Sequence, residues 1–283
     1  MSKISRLFTA VLSTAALGAS LMLVPSFAEA AVSSTCKSGQ LPTLTKGYLT
    51  IATDDPAYSP WFDNNTPSNG KGYESAVAYA VAQKLGYGTK RVKWVKASFD
   101  SVIQPGAKNF DFDINEVSIT PERAKAVDFS SGYYDVTQAL VTVKGSGIEK
   151  VKKIADLANA KLGAAVGTTS YRTITDLIKP KVTPAVYDTN DLAVAALKSG
   201  AIKGLILDLP TAFYIAATVD GAQLAGQFGA VAGGEQFGLV LNKGSKLTGC
   251  VTAAVDALRG NGRLKTIEKK WLAQTGGAPF IKP

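Results

Sequence analysis

Short apolar runs alternate with stretches of helical period along most of the chain. That alternation predicts an α/β protein with mostly parallel strands. Residues 48–52 read as a first strand that stops at Thr53-Asp54-Asp55-Pro56. Val77, Val81 and Leu85 recur at i, i+4 and i+8, which predicts a helix with one apolar face, ended by Gly86. Further strands are expected over 92–95, 110–114 and 138–143. Lys144-Gly145-Ser146-Gly147 is polar and flexible and marks a boundary. Beyond it the same grammar resumes, with a helix over 154–158, a strand over 162–166 and a helix opening at Thr169-Ser170. A strand over 185–187, a helix over 192–198 and a strand over 205–207 ending at Asp208 follow. After Gly233-Gly234 come a strand over 238–241 and helices over 247–258 and 264–272.

The first thirty residues do not belong to that grammar. Lys3 and Arg6 precede an apolar run over 7–24, and Ala28-Glu29-Ala30 offers the small-x-small pattern of a cleavage site. Residues 1–30 therefore read as an export signal cleaved after Ala30, placing the mature protein in the periplasm or otherwise outside the cytoplasm. No later stretch has the roughly 18 uninterrupted apolar residues of a membrane span.

Export changes how the two cysteines are read, since Cys36 and Cys250 form an even count in an oxidising compartment and suggest a disulfide. Cys36 as a lipid-bearing first residue is disfavoured, because Ser33-Ser34-Thr35 lacks the aliphatic residue expected upstream. The net charge of +9 comes from Lys and Arg scattered among Asp and Glu, the pattern of a solvated surface rather than of a nucleic-acid site. Histidine is absent, which removes serine-histidine triads, cysteine-histidine dyads and histidine-ligated zinc. No metal or cofactor is expected.

Candidate chemistry lies at the strand ends, where open α/β sheets bind ligands. Residues 55–61, 115–123 and 167–169, and Asp208, all fall there. Arg123 can hold a carboxylate by a two-pronged fork, and the amides of Thr168 and Thr169 can donate to the same group at a helix start. Asp208 can balance an ammonium, with the Ser118 hydroxyl as a further acceptor. Each element also has a plainer use. Arg123 could pair with Glu122 or Asp128, Gly167-Thr168-Thr169 could be a turn and cap, and Asp208 could cap the next helix. Tyr58, Trp61 and Phe99 could be core aromatics.

These segments, in this order, resemble the polar-amino-acid family (family 3) of bacterial extracellular solute-binding proteins, the binding components of ATP-driven importers. The likeness runs through Leu49-Thr50-Ile51-Ala52-Thr53-Asp54, Gly72-Tyr73-Glu74, Phe110-Asp111-Phe112-Asp113, Ser118-Ile119-Thr120-Pro121-Glu122-Arg123, Val127-Asp128-Phe129-Ser130, Gly167-Thr168-Thr169 and Phe237-Gly238-Leu239. The resemblance implies a two-lobed periplasmic-binding-protein fold of type II with two crossover strands. Residues 31–138 with 238–283 would form the first lobe and 139–237 the second, with crossings near 138–142 and 233–238. It implies a monomer that captures an amino acid and delivers it to a membrane permease. Arg123 would hold the ligand carboxylate and Asp208 its ammonium, Ser118 and Thr169 would assist, and Tyr58 and Phe99 would flank the side chain. Glu116 and Ser170 depart from the common pattern and bear on which ligand fits.

Asp55, Asn115 and Glu116 complete the expected set. With Asp208, Asp55 and Glu116 place three carboxylates around one clear cation and favour a cationic or hydrogen-bond-donating ligand side chain. Glu116 could instead turn away, and Asp55 could merely cap its loop. Two rivals share the fold. One is an exported dehydratase of cyclic aromatic-amino-acid precursors with Glu116 as its acid, a role the nearby Arg123 is expected to oppose. The other is a receptor ectodomain, which calls for a span or signalling domain after the second lobe.

Overall fold

The computed structural model describes residues 36–37, 40–229, 234–273 and 277–283; the expected export signal lies outside the described residues. Strand β1 (Leu49–Thr53) is buried along its whole length. Its pleat sends Leu49 and Ile51 to one apolar cluster and Ala52 to another. Helix α1 (Tyr73–Lys84) buries Val77 and Val81, with Leu85 beneath its C-terminus and Gly86 turning at φ +83°. Next come β2 (Val92–Lys96), a short α2 (Phe99–Ile103), β3 (Phe112–Asp113), α3 (Arg123–Ala126) and the ten-residue β4 (Val127–Val136).

Thr137 alone separates β4 from β5 (Gln138–Val143), and the two strands belong to different sheets. Residues 154–158, expected as a helix, form a 3-10 turn over Ile154–Leu157. Then follow β6 (Leu162–Ala165), α4 (Thr169–Arg172) with a π-helical continuation over Thr173–Ile178, β7 (Ala185–Tyr187), α5 (Asn190–Lys198) and β8 (Gly204–Asp208). Helix α6 (Leu209–Thr218) and β9 (Ala222–Phe228) lead back to β10 (Glu235–Asn242) in the first sheet. Helices α7 (Thr248–Gly260) and α8 (Arg263–Trp271) cover that sheet, and β11 (Phe280–Ile281) ends the chain.

The first sheet runs β2-β1-β3-β10-β4 and the second β11-β9-β5-β8-β6-β7. The strands are less uniformly parallel than the alternation predicts. β1, β2 and β3 are mutually parallel, as are β6, β7 and β8, but β4, β5, β9 and β10 pair antiparallel because they run to and from the crossovers. The main core lies under the first sheet, where Trp61 packs edge-on against Tyr73, Tyr134 and Phe237. The second sheet has an apolar cluster on each face.

Two boundaries differ from expectation. The first sheet is rejoined at Glu235 rather than 238, and Gln138 already belongs to the second sheet. The end of the chain also leaves the first lobe. Phe280 and Ile281 pair parallel with Gln227 and Phe228, because Ile281 fills the space beside Gly226, where a Cβ would meet it at 2.8 Å. The expected disulfide joins Cys36 to Cys250 of α7, with Cα atoms 5.5 Å apart. Among the described residues no helix is long and apolar enough to cross a membrane.

Candidate functional site

Between the sheets lies a cavity of about 300 Å³ whose wall comes from both lobes. Asp55, Tyr58, Phe99, Asn115, Glu116, Ser118 and Arg123 face it from the first lobe, and Thr168, Thr169 and Asp208 from the second. All ten expected residues thus meet at one place, for the reason that the strand ends of both sheets open onto it.

Arg123 opens α3 and is buried, with Nη1 donating to the Ser118 carbonyl at 2.6 Å and Nη2 to the Gly167 carbonyl at 2.9 Å. Neither alternative partner holds it. Glu122 pairs with Arg172, and Asp128 with Lys243. Burial draws its pKa down to about 10, so it remains a cation at neutral pH. The Phe99 ring lies 5.2 Å from its guanidinium carbon.

Asp208 stands at the N-terminus of α6 without capping it; its Oδ1 instead accepts from Gln138 Nε2 at 2.7 Å. Thr168 does cap α4, accepting from the Tyr171 amide at 3.2 Å, as the plainer reading of that triplet has it. Thr169 Oγ1 lies 3.4 Å from Ser118 Oγ across the lobes. Asn115 is buried with its Nδ2 unpartnered among the described residues.

The Asp55 carboxylate is taken up by Lys96 at the end of β2 and by Asn65 Nδ2 of its own loop. Its neighbour Asp54 faces the cavity as well and accepts from the amides of Asp55 and Phe99. Tyr58 is half-buried, and burial with the hydrogen-bonded Asp191 of α5 raises its phenol above the ordinary range.

Glu116 turns inward. Its backbone sits at φ +54°, its N–H donates to buried Glu74 at 2.7 Å, and its Oε2 accepts from Thr211 Oγ1 of the second lobe at 3.0 Å. Thr211 in turn accepts from Trp61 Nε1 at 2.8 Å. Burial and the Glu74 and Asp208 carboxylates push Glu116 well above the usual range. The expectation that Arg123 keeps it ionised is therefore corrected: Arg123 faces carbonyl oxygens, while carboxylates crowd Glu116. Asp208 is raised likewise, by burial and then Glu235.

Asp54, Asp100, Asp188 and Thr211 also face the cavity, and Gln138 and Glu235 stand behind it; sequence reasoning nominated none of these. Asp54 was within reach, being the first acid after a strand. Gln138 and Glu235 carry no local signal, since only the pairing of the crossovers brings them together. No group of three metal-ligating side chains occurs among the described residues.

Residues 49–274 match the model of the bacterial extracellular solute-binding proteins, family 3. The L-arginine-binding protein of Pseudomonas aeruginosa is 30% identical over 241 residues, covering 79% of this chain and 90% of its own. The ABC transporter glutamine-binding protein GlnH of Bacillus subtilis is 28% identical over 218 residues, 75% of this chain and 77% of its own. Among solved structures, an ancestral arginine-binding protein bound to arginine superposes with a TM-score of 0.65 at 28% identity, covering 80% of this chain and 98% of that one.

Proposed function

Since the chain belongs to family 3 of the bacterial extracellular solute-binding proteins, we propose that it captures an L-α-amino acid between its lobes and delivers it, as a monomer, to the permease of an ATP-driven importer. The observation that carries this reading is a cavity with an anion clamp, Arg123, on one lobe and a cation clamp, Asp208, on the other. A zwitterion satisfies both at once. Export with cleavage after Ala30 fits that role.

The cavity wall adds Asp54, Asp100, Glu116 and Asp188 to Asp208, against the single guanidinium of Arg123. Burial and crowding among these carboxyl groups push Glu116 and Asp208 towards protonation, and a neighbouring cation would relieve the crowding. That excess therefore suits a cationic or hydrogen-bond-donating side chain, and the ligands in the names of the arginine-binding and glutamine-binding relatives are of that kind. A thermal-shift screen of the twenty L-amino acids with ornithine and cystine tests it. A ligand at 100 times its Kd adds about 2.7 kcal/mol. Arginine, lysine, ornithine or glutamine should raise the melting temperature; a response to glutamate or aspartate alone would overturn the side-chain assignment, and a response to none the amino-acid reading.

One observation supports a second reading. Glu116 is held towards its protonated form in the cavity wall, which is what a general acid for dehydrating a cyclic dienol carboxylate requires. Turnover of such a substrate, lost in Glu116→Gln, would establish it.

A further inference from the structure

Ser118 carries one hydroxyl hydrogen, and it is donated to Glu235 Oε1 at 2.6 Å. The contact is built by the main chain. Ser118 bridges to Phe237, with the Ile119 amide on the Gln236 carbonyl at 2.8 Å and the Gly238 amide on the Val117 carbonyl at 3.0 Å. Ser118 is thereby laid alongside the start of β10, where Glu235 is the first residue.

Glu235 meets a second donor from the other crossover. Gln138, the first residue of β5, places Nε2 at 3.3 and 3.2 Å from the two Glu235 oxygens and at 2.7 Å from Asp208 Oδ1. Its Oε1 accepts from Ser170 Oγ at 2.7 Å, so the amide is oriented from both ends. Ser118 and Asp208 line the cavity, whereas Gln138 and Glu235 are not among its lining residues.

A hydroxyl whose hydrogen is already committed has only lone pairs left to offer. We propose that Glu235 is a positioning residue that fixes Ser118 as an acceptor, so that the wall beside Asp208 selects a donor group, the ammonium of an amino acid, over a hydroxyl or a hydrogen at the same carbon. The inference rests on the amino-acid reading above. It assigns the choice of the α-substituent to a residue that never touches the ligand. Gln138 keeps the arrangement in register by donating to Glu235 and Asp208 together, so the crossovers carry the selective contact.

The test uses the full mature protein and the tightest-binding amino acid of the screen, beside its des-amino analogue of identical skeleton. Calorimetry gives the ratio of the two Kd values for the native protein, Glu235→Met, Glu235→Gln, Ser118→Ala and the Ser118→Ala/Glu235→Met double variant. Glu235→Met keeps the length of the side chain and removes the acceptor, and should reduce the preference for the amine at least about tenfold. Glu235→Gln retains an acceptor oxygen and should keep most of it. In the Ser118→Ala background Glu235→Met should change the ratio no further. Equal weakening of both ligands by Glu235→Met, or the same loss of preference without Ser118, would overturn the inference and leave the amino-acid reading standing. Should Glu235→Met fail to fold, Glu235→Ala takes its place under the same criteria. If the native protein binds none of the screened amino acids, both fall together.

Discussion

Arg123 shows how a buried cation can be satisfied and still available. Its two partners, the carbonyls of Ser118 and Gly167, orient the fork without neutralising it, and no carboxylate lies within ion-pair distance among the described residues. Arg123→Ala should weaken amino-acid binding by about 2–5 kcal/mol in calorimetry with the fold intact. Near-native affinity would move the carboxylate site elsewhere. Arg123 and Asp208 were legible in the sequence because Asp208 is a charge at the end of a strand and Arg123 a charge in the segment that follows one, places with chemical meaning in an α/β sheet. Glu235 was not, because its partners Ser118 and Gln138 are 117 and 97 residues away in sequence. Glu74 carries no signal in the sequence beyond its place in a motif, yet it is buried, donated to by Tyr133 and the Glu116 amide, and raised to about 7 chiefly by burial. An acid whose pKa is raised on folding contributes stability that is fully present below its unfolded pKa, near 4.5, and is lost as pH rises through about 7. The ligand-free protein should therefore lose thermal stability between pH 5 and pH 7.5 (roughly the window between those two values), and Glu74→Gln should flatten that slope in a melting series.

At the scale of elements, helices and strands with a clear apolar period were readable, and those masked by polar residues were not. β4 escaped because Asp128, Ser130, Ser131, Gly132 and Asp135 interrupt its apolar positions. Helix α6 carried a usable signal, Pro210 in its first turn, where the missing N–H of proline costs nothing. The start of α1 depends on Gly72, which sits at φ +93° with the Trp61 carbonyl 2.3 Å from where a Cβ would stand. Both the left-handed backbone and the contact oppose a side chain, so Gly72→Ala should cost at least about 1–3 kcal/mol in chemical denaturation. An unchanged midpoint would show that the Trp61 loop can retreat. The disulfide was legible from the cysteine count and the expected export signal, and its reduction should lower stability by about 2–4 kcal/mol, measured on the same curves.

The whole molecule is held shut by contacts that span the cleft. Trp61, Thr211 and Glu116 form one chain of hydrogen bonds across it, and Arg123 with the Gly167 carbonyl forms another. Exposed Arg172 and Glu122 add an ion pair at 3.0 Å, of the kind that contributes little in water. An amino acid that engages both lobes, as proposed, should select this closed arrangement. Solution scattering should then show a smaller radius of gyration at saturation than in the ligand-free protein; superimposable curves would count against closure on binding.

The return of β11 to the second sheet changes the mechanics of that closure. Two adjacent crossovers, at Thr137 and ahead of Glu235, already join the lobes where Val136 pairs with Glu235. The segment from α8 to β11 ties the lobes a third time, and Ile281 anchors it in the apolar cluster of the second lobe. A third connection between two bodies removes freedom that two leave, so a motion that keeps β11 paired with β9 should favour bending over twist as Arg123 and Asp208 approach.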